Sequence, residues 1–125
     1  MGCNDGERQV FYSVTDRLFR FIHPLRQKNF ENVFNNLPDT VGQLWVFGSA
    51  VTANCLPWSD LDICAVGGNI TMDDRRRIIE AAGCETDLLV ADNEVFTQKS
   101  AQFGHCYYNI VNTGILYYDK GWFDE

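Results

Sequence analysis

Leu44-Trp45-Val46-Phe47-Gly48-Ser49, followed by Ser59-Asp60-Leu61-Asp62-Ile63-Cys64-Ala65-Val66, are the two stretches whose reading decides the fold. The first is a short apolar run of strand formers, with Gln43 just before it, that stops at Gly48-Ser49. The second reads as a strand over Leu61 to Val66, closed by Gly67-Gly68. Asp60 and Asp62 stand two apart where this strand begins, so strand alternation points both carboxylates to one face and Leu61 to the other.

Working outward, Thr71 is placed to cap a helix over Met72 to Ala82, with Asp73 and Asp74 in its first turn and Gly83 at its end. Thr86 to Val90 reads as a third, buried strand, Glu94 to Val111 as broken helix, and Ile115 to Tyr118 as a fourth strand after Gly114. Towards the N-terminus, Val10, Phe11, Val14, Leu18, Phe19 and Ile22 recur at helical spacing, so a helix is expected over Glu7 to Phe21, interrupted at Pro24. A second helical stretch spans Leu25 to Phe34 and ends in the turn-like Asn35-Asn36-Leu37-Pro38-Asp39. The coarse picture is α/β, with no internal repeat and no interdomain linker.

At 125 residues and 46% hydrophobic content the chain fits one domain, 1–125, able to bury a core without disulfides. A cytoplasmic, soluble protein is expected: no apolar run approaches membrane-spanning length, and Met1 to Gly6 reads as a polar leader. Five cysteines, Cys3, Cys55, Cys64, Cys84 and Cys106, lack Cys-x-x-Cys spacing and suit reduced thiols. His105-Cys106 has no second pair at zinc-ligand spacing. The net charge of -7 excludes a protein that grips long nucleic acid through phosphate contacts, which need a broad positive surface. An acidic protein still binds a nucleoside triphosphate when magnesium lies between its carboxylates and the phosphates.

Two like charges held two residues apart on one strand face repel unless a proton or cation compensates, and a hard cation such as magnesium is the natural compensator. Asp87, inside Glu85-Thr86-Asp87-Leu88-Leu89-Val90, is a carboxylate among apolar residues on a neighbouring strand and is expected to complete a triad. An Asp-x-Asp alone is more often a strand-end turn or a helix cap. Gly48-Ser49, with Gly48 twelve positions before Asp60, shifts the balance: glycine lets backbone amides approach a phosphate, and Ser49 adds a hydroxyl. Arg75, Arg76 and Arg77 are consecutive on a helix and point different ways, so a solvated face is expected of them. Among the aromatic residues Trp45, Trp58, Tyr107, Tyr108, Tyr117, Tyr118 and Trp122, mostly core material, Trp58 stands apart in the loop before Asp60, bordering a nucleotide pocket or a partner surface.

Taken together, Leu44 to Ser49, Ser59-Asp60-Leu61-Asp62-Ile63 and Thr86-Asp87-Leu88-Leu89, with their spacing, resemble the minimal nucleotidyltransferases of the DNA polymerase beta-like superfamily. The resemblance covers about Gln43 to Val90, and Asn109 to Tyr118 is similar to that family's ending. It implies a small mixed sheet of about four strands flanked by helices (α+β), with a helical N-terminal segment at about 7–36 and a catalytic core at about 41–118. It implies nucleotide binding at Gly48, Ser49 and Ser59, and two magnesium ions at Asp60, Asp62 and Asp87, the last also activating the acceptor hydroxyl. The implied reaction moves a nucleoside monophosphate, AMP from ATP, onto a hydroxyl of a protein or small molecule. Two alternatives stay open: an antitoxin or interaction partner of a HEPN-type RNase, and a catalytically degenerate scaffold. The chain departs from the family in carrying Thr52 and Ala53 where many members have Arg and Gly, which puts catalytic competence in doubt. So short a chain has little room for an acceptor-binding domain, so a HEPN-family protein or a second copy in a homo-oligomer is expected to complete the acceptor site.

Overall fold

The computed structural model describes residues 21–120. The expected helix over Glu7 to Phe21 and the Met1 to Gly6 leader therefore fall essentially outside the described residues, as does Trp122. Helix α1 runs Pro24–Asn35, strand β1 Gln43–Phe47, a 3-10 turn Gly48–Val51, β2 Leu61–Val66 and α2 Met72–Ala82. β3 Thr86–Ala91, α3 Asn93–Ser100, α4 Cys106–Thr113 and β4 Ile115–Asp119 follow. Four strands form one sheet in the order β3-β2-β1-β4. β1 pairs antiparallel with β2 and with β4, whereas β2 and β3, linked through α2, run parallel. The fold is α+β with a mixed sheet.

Strand alternation sorts the side chains onto two faces. Leu44, Val46, Leu61, Ile63 and Ala65 pack against Phe30 and Val33 of α1 and Ile78 and Ala82 of α2. Trp45, Cys64, Val66 and Ala91 pack on the other face against Phe96 of α3 and Ile110 of α4. β2 is thus covered on both sides, which is why its apolar run is nearly continuous. Asp62 shares its face with Cys64 and Val66, the face that α3 and α4 cover.

Several expectations are refined. Pro24 opens a helix: it occupies the first turn of α1, where its missing N–H costs nothing, and the His23 side chain accepts the Leu25 N–H at 3.1 Å. The broken helix over Glu94 to Val111 resolves into α3 and α4, separated at residues 101–105. β3, expected as a buried strand, lies at the sheet edge, with Asp87 exposed and Leu88 to Val90 only half-buried. The sequence run of apolar residues could not distinguish an edge strand half-covered by helices from a central one. The Thr71 cap is present as a reciprocal pair: Thr71 Oγ1 accepts the Asp74 N–H, and Asp74 Oδ2 accepts the Thr71 N–H, both at 3.1 Å. α2 then ends at Gly83, whose φ of 71° is the left-handed conformation a helix C-terminus favours.

Candidate active site

The antiparallel pairing of β1 with β2 sets Phe47 opposite Asp62, so Gly48 and Ser49 leave the sheet at the same end at which Asp60 enters it. Parallel pairing of β2 with β3 sets Asp62 beside Asp87. Neighbouring strands lie about 4.8 Å apart and in-register residues share a face, so these two carboxylates stand side by side. Asp60, exposed just before β2, is two residues from Asp62. The geometry therefore brings Gly48, Ser49, Asp60, Asp62 and Asp87 to one end of one sheet face.

Gly48 carries the closest contact. Its φ of 73° lies in the left-handed region, and a Cβ built there would fall onto Asp62 Oδ2, with Asp62 Cγ at 3.0 Å and Cβ at 3.2 Å. Only glycine lets the backbone turn this way against that carboxylate. The turn that follows, Gly48–Val51, has no side-chain cap, and the Ser49 hydroxyl has no hydrogen-bond partner among the described residues. Thr52 closes this turn: its N–H and its hydroxyl both donate to the Ser49 carbonyl at 3.0 Å.

Half-buried Asp62 holds its proton up to about 6; burial is the main cause, and the charges of Asp87 and Asp60 add to it. None of the three aspartate carboxylates accepts a hydrogen bond or meets a lysine or arginine among the described residues. Three acidic groups near one another with no protein counter-charge are suited to a divalent cation. As the side chains stand, no group of three or more His, Cys, Asp and Glu among the described residues could hold a metal ion. What the residues present suit is a site of fewer protein ligands, since magnesium is ordinarily held by one or two carboxylates, with substrate phosphates and water supplying the rest. The in-register pair Asp62 and Asp87 would hold it, with Asp60 at the loop edge.

Ser59 is placed beside this site, but its hydroxyl accepts the Leu56 N–H at 2.9 Å and so ties the turn that precedes Asp60. Arg26, at the start of α1, was not among the residues singled out from sequence. It is buried, pairs with no carboxylate among the described residues, and donates to the Pro57 carbonyl at 2.8 Å and to the Ser59 carbonyl at 2.7 and 3.1 Å. The signal was present: Arg26 occupies an apolar-stripe position between Ile22 and Phe30, where a charged residue needs a reason.

A cavity of about 260 Å³ opens beside the carboxylates, lined by Phe47, Leu89, Cys106, Asn109, Ile110 and Thr113. Leu89 is two residues past Asp87 and Phe47 is paired with Asp62, so the cavity borders the carboxylate row on the α4 side. The Asn109 side-chain amide has no partner among the described residues. Other candidates have ordinary roles. His105 Nδ1 accepts the Tyr107 N–H at 3.1 Å and caps α4, and burial, with Cys106 nearby, pushes the Cys64 thiol up to about 12. Arg76 pairs with Asp73 at 2.8 Å on α2, which packs on the opposite sheet face. Trp45 and Tyr107 pack on Phe96, and Tyr117 packs on Phe30 and Phe34.

No protein-family model matches the chain, and no curated protein matches it. Solved structures do. A toxin–antitoxin structure with AMP-PNP is similar at 16% identity and a TM-score of 0.48, over 78% of this chain and 79% of that one. A provisionally assigned nucleotidyltransferase from Sulfolobus solfataricus is similar at 18% identity and a TM-score of 0.42, over 97% of this chain and 92% of that one. Likenesses at this level assign no residue a role. Among the described residues no helix is long and apolar enough to cross a membrane.

Proposed function

We propose that the chain is a metal-dependent nucleotidyltransferase that moves a nucleoside monophosphate, AMP from ATP, onto a hydroxyl. The observation that supports this reading most is the Asp62 carboxylate. It is pressed against the left-handed Gly48, in register with Asp87, and lacks any protein counter-charge among the described residues. Gly48 and Ser49 would receive the β- and γ-phosphates through backbone amides and the Ser49 hydroxyl. Asp60, Asp62 and Asp87 would hold the cations. When bound, these ions neutralise phosphate charge and polarise the α-phosphorus. An in-line displacement requires the attacking oxygen to approach opposite the leaving pyrophosphate. With the phosphates at the β1 end, that places the acceptor towards Asp87 and the cavity beneath α4, where Asp87 is positioned to take the hydroxyl proton. The cavity, mostly apolar with the Asn109 amide in its lining, is suited to the organic part of the acceptor.

Calorimetric titration with magnesium and AMP-PNP tests this reading. Binding is expected to the wild type and to vanish in the Asp60→Asn, Asp62→Asn double variant; equal affinity in both would sink it. A second reading, docking to a HEPN-type RNase, is favoured by Phe103, which is 88% exposed on the α3–α4 connection and meets Tyr108 edge-on at 5.3 Å. Mass spectrometry of such a partner after incubation with ATP separates chemistry from docking alone: a mass gain of one nucleotidyl group supports transfer, and stable complex without it supports docking.

A further inference from the structure

Trp58 is 76% exposed, and a single exposed aromatic residue needs no explanation in itself. Its mount does. The Leu56 to Ser59 turn is closed twice, by the Ser59 N–H donating to the Leu56 carbonyl at 2.9 Å and by the Leu56 N–H donating to Ser59 Oγ at 2.9 Å. The carbonyls on either side of Trp58, those of Pro57 and Ser59, are then gripped by the one Arg26 guanidinium. A buried arginine with no acidic partner among the described residues is costly to maintain, and its planar fork suits two convergent carbonyls as lysine would not. The loop is held by these bonds, and what it holds out is the indole of a residue whose Cα lies at most about 7 Å from that of Asp60.

Resting on the nucleotide reading above, we infer that Trp58 is the base-contacting residue of that site: a preset stacking platform for the nucleobase, with Arg26 as its positioning residue. The triphosphate lies at Gly48 and Ser49, and the acceptor side is taken up by Asp87 and the α4 cavity. The Asp60 side, where Trp58 stands, is left for the ribose and base. Stacking on an aromatic face contributes strongly to binding a base and is indifferent to which base it is. A mount fixed before binding lowers the ordering cost of the contact.

Trp58→Leu and Trp58→Phe, each checked for unchanged thermal unfolding, are titrated with AMP-PNP and separately with tripolyphosphate, both with magnesium. In Trp58→Leu, AMP-PNP binding is expected to weaken by about fivefold or more, with tripolyphosphate binding unchanged and Trp58→Phe close to wild type. In the wild type, tryptophan emission is expected to change with AMP-PNP but not with tripolyphosphate, and this response is lost in Trp58→Leu. Unchanged AMP-PNP affinity in Trp58→Leu overturns the inference and leaves Trp58 to a protein partner. Equal weakening for both ligands overturns it too, because the loss then lies in the phosphate site. If the wild type binds neither ligand, the nucleotide reading itself fails and takes this inference with it.

Discussion

Replacing Asp62 with asparagine should stabilise the protein at neutral pH, because Asp62 carries charge in a place that resists it. An ordinary aspartate loses its proton near 3.9, whereas Asp62 does so at about 6, chiefly through burial and then through Asp87 and Asp60. The difference corresponds to at most about 3 kcal/mol at 1.36 kcal/mol per pH unit. Solvent screening at a half-buried position reduces this to roughly 1–2 kcal/mol. The sign follows from the folded state binding the proton more tightly than the unfolded chain. The favourable contribution is complete below about 4, falls as pH rises, and is gone above about 6. Urea unfolding in metal-free buffer across that range should show Asp62→Asn and wild type nearly equal at the acid end. The variant should then gain steadily up to neutrality. Magnesium added at neutral pH should narrow the gap, since only the wild type keeps the full carboxylate set. A variant no more stable than wild type at neutral pH would refute the idea that Asp62 is an uncompensated charge.

Two further perturbations probe the same corner. Gly48→Ala places a methyl group on the Asp62 carboxylate and asks alanine to adopt a φ of 73°; a loss of about 2 kcal/mol or more in urea unfolding is expected, together with loss of AMP-PNP binding, and a wild-type unfolding midpoint would contradict the contact. Arg26→Met strips the donors from the Pro57 and Ser59 carbonyls and should cost roughly 2 kcal/mol by leaving part-buried acceptors unpaired; unchanged stability would mean that water replaces the guanidinium without loss.

The local pattern of residues determined much of this protein. Alternation around Asp60 and Asp62, the strand formers at Leu44 to Phe47, the Thr71 cap and the Gly83 stop are short-range signals, and each element stands where its own residues place it. The candidate residues at Gly48, Ser49, Asp60, Asp62 and Asp87 were legible for the same reason, since glycine and paired carboxylates in such spacing are unusual for packing alone. Tertiary structure decided what depends on contacts between distant segments. That Asp62 faces Asp87 follows from the β2–β3 register, that β3 is an edge strand follows from sheet order, and that Arg26 is spent on Pro57 and Ser59 spans more than thirty residues. Local sequence carries the conformational preference of a segment; register, edge position and burial of a charge are set by which segments meet, and no single segment encodes that.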